Sequence, residues 1–171
     1  SKVGRQRDAY SVGMGRFHDM RLALETRVHG WPDVEGLVWA GSAADIERAD
    51  AWSDLDFFLI VRRGTQEAFR QQFDWLPDAD AIALTARETQ HGCKVLYTDG
   101  FVLEFAVFDR DELAQAVVNH HALAFGDEGL SDALASIHRP NGFPSLASGE
   151  DHLALAFTLL VIALGRNRRG E

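Results

Sequence analysis

The chain has 171 residues, 46% of them apolar, and a formal net charge of −9 with histidines counted as neutral. That length suits one sizeable core with a small helical annex, and the acidic balance argues against non-specific nucleic-acid binding, which rests mostly on Lys and Arg at phosphates. A single cysteine, Cys93, excludes an internal disulfide and a cysteine-based metal cluster. A small apolar residue in a strand is its expected role. The opening stretch is polar and contains arginines but no apolar h-region, so no signal peptide is read there and the cytoplasm is the expected compartment.

Residues 5 to 29 are predicted helical, because Phe17, Met20, Leu24 and Val28 form an apolar stripe at helical spacing. Gly13 and Gly15 weaken the helix before that stripe. Gly30 and Trp31-Pro32 end it. Val34 to Ala40 is a first strand, Ser42 to Ala49 a short helix with Ser42 as N-cap, and Leu55 to Val61 a second strand. After Gly64, Thr65 to Trp75 fits a helix closed by Pro77, and Asp80 to Thr85 a short strand. Lys94 to Thr98 and Phe101 to Phe108 form a hairpin around Asp99-Gly100, a two-residue turn signal. Asp109 to Val118 reads as a helix, Ala122 to Phe125 as a short edge strand, and Asp127-Glu128-Gly129 as a turn. Ser131 to Ile137 and Gly149 to Leu164 are helical, split by a loop from His138 to Pro144. The apolar run Leu153 to Leu164 falls short of the roughly 20 residues a membrane span needs. It reads as a helix buried on most sides and stopped by Gly165, with Arg166, Arg168 and Arg169 beyond. Such a helix needs cover from the sheet, from a second copy of the chain as a homodimer, or from a further domain. The order of elements is an α+β layout with a small mixed sheet flanked by helices and a C-terminal helical segment.

The chemistry concentrates between residues 34 and 62. Gly41-Ser42 follows the first strand, and Ser53-Asp54-Leu55-Asp56 opens the second. Residues two apart on a strand point to one face, so Asp54 and Asp56 project side by side. Two such carboxylates repel, and burying them costs several kcal/mol unless a cation is present. Hard oxygen ligands of this kind suit magnesium, which takes one or two protein carboxylates and completes its shell with phosphates and water. Gly41 lets the backbone come close to an anion, and the helix start at Ser42 offers N–H groups to it. A phosphate site beside a metal site points to a nucleoside triphosphate.

The apolar strand Leu37-Val38-Trp39-Ala40, Gly41-Ser42, a ten-residue spacer and Ser53-Asp54-Leu55-Asp56 together resemble the motif of the DNA polymerase β-type nucleotidyltransferase superfamily. The Trp-Ala-Gly-Ser and Ser-Asp-Leu-Asp pieces look most like the lincosamide and aminoglycoside nucleotidyltransferases. The resemblance implies a nucleotidyltransferase core over residues 31–128, an N-terminal helix over 1–30 packed on it, and a C-terminal helical segment over 129–171 that begins a larger helical domain. It also implies transfer of AMP from ATP to a hydroxyl of a small molecule, such as an aminoglycoside or lincosamide, with two magnesium ions. An acidic surface suits a cationic acceptor of that kind.

Two-metal transfer needs a third carboxylate from a neighbouring strand. Glu104 interrupts the otherwise apolar Phe101 to Phe108, where a lone charge is expensive without a partner, so it is expected to ligate metal or act as base, or else to pair with an arginine. Ser42 with Gly41 would meet the phosphates, and Ser53 is read as a phosphate contact or, more simply, a cap of the turn. Arg48 in the spacer and Lys94, the lone lysine besides Lys2, are candidates for the triphosphate. His120 and His121 point to opposite faces of an extended segment and make a poor zinc pair. His152 would line the cleft or pack. Two other readings remain: an enzyme of toxin–antitoxin type that modifies a protein partner, and a nucleotidyltransferase-like module that binds without turnover.

Overall fold

The computed structural model describes residues 2–50, 53–118, 120–137 and 149–169. The chain begins with helix α1 (Lys2–His29), strand β1 (Val34–Ala40) and the one-turn helix α2 (Gly41–Ala44), then β2 (Leu55–Val61) and α3 (Gln66–Gln71). Strands β3 (Ile82–Arg87), β4 (Gly92–Tyr97) and β5 (Val102–Phe108) follow, then β6 (His121–Phe125), α4 (Glu128–Ala135) and α5 (Gly149–Arg169). The six strands make one mixed sheet in the order β3-β4-β5-β2-β1-β6. All neighbours are antiparallel except β2 and β5, which run parallel at the centre. The architecture is therefore the expected α+β layout.

Alternation along the strands sorts side chains onto two faces. Leu55, Phe57, Leu59 and Val61 of β2 join Leu103, Phe105 and Val107 of β5 and Cys93, Val95 and Tyr97 of β4 in one core. The α1 stripe of Phe17, Met20, Leu24 and Val28 lies in that same core, each residue buried. Closing off a Leu or Phe in this way contributes about 1.5–3 kcal/mol. The opposite face carries a smaller cluster of Val38, Ile60, Phe108, Leu113, Leu130 and Leu134. On that face α5 reaches the β3 edge, where Ala154 and Leu155 pack on Ala86. Between the small cluster and α5, among the described residues, a cavity remains on this face, and there the strands place Asp56 and Glu104, with Lys94 buried beside them.

The helices differ most from expectation. Ser42 is not an N-cap: α2 begins one residue earlier, its cap position is Ala40, and no side chain bonds there. A separate 3-10 turn, Ile46–Arg48, replaces the rest of the expected 42–49 helix. Residues 109–118 hold only a 3-10 turn, Glu112–Gln115. Asp109 accepts from the Glu112 N–H at 2.8 Å, and Glu112 accepts from the Asp109 N–H at 3.2 Å. This reciprocal cap starts a turn, but the β-branched pair Val117-Val118 does not extend it. The helix expected over 65–75 stops at Gln71, because Trp75 folds back to donate from its indole to the Phe69 carbonyl at 3.1 Å. The strand expected over 80–85 starts at Ile82 after a 3-10 turn, Ala79–Ala81. Helix α4 starts earlier than expected, at Glu128, with the Asp127 carboxylate accepting from the Leu130 N–H. Gly165 does not end α5, which continues to Arg169; a glycine inside a helix costs only about 1 kcal/mol. Likewise α1 runs unbroken through Gly13 and Gly15. The loop expected from His138 to Pro144 lies outside the described residues. Among the described residues, no helix is long and apolar enough to cross a membrane.

Candidate active site

The centre of the open face is a row of charged side chains set by strand register. Lys94 on β4 pairs with Glu104 on β5, and Glu104 pairs with Asp56 on β2. Directly opposed residues present their side chains on the same face, so three adjacent strands place Lys94, Glu104 and Asp56 in line. Asp54 lies one alternation before Asp56, just ahead of β2. Asp54, Asp56 and Glu104 each offer a carboxylate oxygen, and these oxygens lie within 4.8 Å of one another. Three negative groups at that spacing repel strongly.

The electrostatics show where that repulsion is stored. Burial pushes the Asp56 carboxyl up to about 9, and the neighbouring charges of Asp54 and Glu104 push in the same direction, while Lys94 opposes them. One oxygen of Asp56, Oδ1, is buried and makes no hydrogen bond among the described residues. Lys94 is 3% exposed. Its ammonium contacts Glu104 directly and lies 3.2 Å from Glu88 Oε2.

Gly41 closes the other side of the pair. Its φ is +52°, a backbone conformation that L side chains rarely adopt, and a Cβ there would lie 2.6 Å from Asp56 Oδ2. A glycine is thus required both for the turn and for the close approach. The Gly41 N–H donates to the His120 carbonyl at 3.1 Å, which ties the turn to the segment before β6. The Ser42 hydroxyl lies 3.5 Å from the Asp54 carbonyl, long for a hydrogen bond, and so can turn toward an anion.

The remaining candidates lie elsewhere. The Ser53 hydroxyl accepts from the Asp50 N–H at 2.9 Å and donates to Asp50 Oδ1 at 3.1 Å, the turn-capping role weighed above. Arg48 is exposed on its 3-10 turn, outside the set of residues that line the site's cavity. That cavity, about 290 Å³, runs from Asp56 and Glu104 over Phe58, Ala106 and Phe108 to His91. Its floor is apolar and its inner end acidic. His121 is exposed on the edge strand β6, and the side chain of His152 lies outside the described residues.

Two wall residues, Glu88 and His91, were not singled out from sequence. His91 is 3% exposed, its ring lies 4.9 Å from that of Phe108, and its Nε2 makes no hydrogen bond. Burial, then the nearby Arg70, lowers its pKa, so the ring is neutral at the cavity wall. Neither residue sits in a spacing pattern that would mark it. Lys94 did carry a signal, a charge inside an apolar strand, but the partner it answers is set by long-range pairing.

The residues fit a divalent cation. Three hard oxygen donors converge, one of them buried without a partner, and a glycine keeps the space beside them clear.

No protein-family model matches the chain, and no curated protein matches it. Among solved structures it is similar to the STING-associated CdnE c-di-GMP synthase from Capnocytophaga granulosa, with 13% identity and a TM-score of 0.41. The match covers 58% of this chain and 34% of that protein, so the chain spans about a third of its length. The carboxylate geometry, rather than that likeness, carries the functional reading.

Proposed function

We propose that the chain is a magnesium-dependent nucleotidyltransferase that moves a nucleoside monophosphate, AMP from ATP, onto a hydroxyl of a small molecule. The single observation that carries this reading is the convergence of Asp54, Asp56 and Glu104, with a buried Asp56 oxygen left without a partner among the described residues. Such a cluster is unfavourable without a cation and has no structural use of its own. Two magnesium ions bound by these carboxylates would supply charge neutralisation and a more acidic acceptor hydroxyl.

The chain's own residues account for the remaining requirements. The Gly41-Ser42 turn lies on the β1 side of Asp56 and would receive the phosphates, its hydroxyl and close-lying backbone replacing water. Helix α2 is too short for a useful dipole, so the turn itself makes the cradle. The attacking and leaving oxygens of phosphoryl transfer lie roughly in line. With the pyrophosphate toward Gly41, the acceptor would approach from the Glu104 side, within the cavity over Phe58, Ala106 and Phe108. The acceptor oxygen bonds to the α-phosphorus, the bond from that phosphorus to the bridging oxygen breaks, and pyrophosphate leaves. Glu104 takes the hydroxyl proton, directly or through water. Phe58, Ala106 and Phe108 would exclude water from beneath the acceptor.

Aminoglycoside and lincosamide alcohols are the acceptors to try first. A protein acceptor, the toxin–antitoxin type of reading, has one observation in its favour: Phe157, Leu160 and Leu164 of α5 are more than half exposed and share one helical stripe. The test is a mass-shift assay with magnesium, each ribonucleoside triphosphate and a panel of those drugs, beside an Asp54→Ala/Asp56→Ala control. A nucleotide-sized gain on one drug, absent in the control, supports the reading and names the acceptor. Metal-dependent nucleotide binding without any gain moves the search to protein acceptors. Absence of both defeats the proposal.

A further inference from the structure

We propose that Lys94 is a positioning residue that holds Glu104 in line with Asp56, and not a ligand of the triphosphate. The inference rests on the nucleotidyl-transfer reading above and deepens it. Lys94 is 3% exposed, and its ammonium is taken up by Glu104 and, at 3.2 Å, by Glu88. A buried ammonium between two carboxylates is costly to withdraw, because both partners are then left uncompensated.

Placement argues against a phosphate role. The sheet order puts β4, β5, β2 and β1 side by side, so Lys94 and the Gly41 turn that follows β1 are separated by three strand spacings, about 14 Å. Glu104 and Asp56 stand between them in register. A flexible four-carbon stem that already ends on Glu104 does not reach across both. Lys94 therefore lies behind the carboxylates, on the side away from the phosphate cradle.

The same placement gives it a task. The Glu104 side chain is 42% exposed. With Asp54 and Asp56 close by, an unrestrained Glu104 lowers its energy by turning toward solvent, away from the row. Lys94 engages Oε2 of Glu104 and keeps the carboxylate in the row. Glu88 is the second tether, which keeps the ammonium from following Glu104 outward.

The test compares Lys94→Met and Lys94→Arg with wild type in three readouts. The first is steady-state pyrophosphate release. The expected kcat of Lys94→Met falls by about 10–100-fold, as for partners that orient a metal ligand, with the KM for ATP within about threefold of wild type. Lys94→Arg, which keeps the charge, recovers part of the loss. The second is the Kd of a non-hydrolysable ATP analogue with magnesium, expected within about threefold of wild type for both variants. The third is the melting midpoint without metal for Lys94→Met, Glu104→Gln and the double variant. The double variant is expected to lose less than the two single losses combined, because the second change no longer strands a buried partner.

An analogue Kd weakened tenfold or more by Lys94→Met would make the residue a phosphate ligand and overturn the proposal. So would wild-type kcat in that variant, or additive midpoints. Should Lys94→Met fail to fold, Lys94→Arg gives the kinetic comparison, and a double variant that folds where Lys94→Met does not shows the coupling directly. Should wild type show neither analogue binding nor turnover, nucleotidyl transfer is the reading that fails. The metal-free midpoints then still decide whether Lys94 holds Glu104.

Discussion

On the face covered by α1, strands β2 and β5 present Leu55, Phe57, Leu59, Leu103, Phe105 and Val107, all buried in one apolar core. One residue out of phase, the same strands present Asp56, Phe58, Glu104 and Ala106 to a cavity. The first face is satisfied by packing alone. The second holds charges that packing cannot satisfy, and among the described residues it is hollowed by that cavity. Stability and chemistry are thus divided by the pleat: a residue's parity on the strand decides which of the two a substitution disturbs.

Substitutions on the charged face have the largest expected effect. Asp54→Ala/Asp56→Ala is expected to lower the transfer rate by about 10³-fold or more and to abolish metal-dependent nucleotide binding. The melting midpoint without metal should hold or rise, because the repulsion within the cluster is relieved. Calorimetry with ATP and magnesium, beside thermal melting, checks both halves. The covered face should answer in the opposite way. Phe57 stacks on Phe105 with ring centroids 4.9 Å apart, and it is fully buried. Phe57→Ala is expected to cost about 3–5 kcal/mol in urea unfolding, while nucleotide affinity per folded molecule stays the same.

Gly41→Ala sharpens the contrast, since it acts on backbone and site together. The methyl would meet Asp56 Oδ2 at 2.6 Å in a left-handed turn. A stability loss of about 1–2 kcal/mol is expected, with nucleotide binding weakened as well, read from the same urea and calorimetric experiments.

The smallest effect is in pH dependence. The Asp56 carboxyl lies at about 9 in the folded chain against an ordinary 3.8. Between those values the folded state holds a proton that the unfolded state releases, so this group's contribution to stability declines as pH rises through that window. In the presence of a chelator the melting midpoint should fall by a few degrees between pH 6 and pH 8.5. Asp56→Asn should flatten that slope, and magnesium, by displacing the proton, should flatten it too. A wild-type slope no steeper than that of the variant would contradict the assignment.

Much of the sheet was legible because a short apolar run between turn residues is a local signal. Val34–Ala40, Leu55–Val61 and the hairpin around Asp99-Gly100 follow from short apolar runs bounded by turn residues. The pairing of Asp54 with Asp56 follows from strand parity, and Glu104 announced itself as a charge in an apolar strand. The helical readings at 42–49 and 109–118 failed because reciprocal side-chain to backbone bonds and a glycine-led turn competed with helix propensity. What Lys94 touches was not legible, since the β4–β5 register and the parallel β2–β5 pairing are needed to know it. His91 and Glu88 were invisible for the same reason. They reach the cavity from a loop whose sequence carries no periodicity.

The parallel pairing of β2 with β5 also divides the site by its order of assembly. The β4–β5 hairpin brings Lys94 to Glu104 within ten residues of sequence, and β1 with β2 brings Gly41 to Asp56 within fifteen. Each half is encoded by near neighbours. The two halves meet only through the crossover from Arg62 to His91, a long-range closure with its own entropic cost. The crossover thus acts as the clasp of the site. Changes within it can unfasten the carboxylates from one another without altering a single residue that bears charge there.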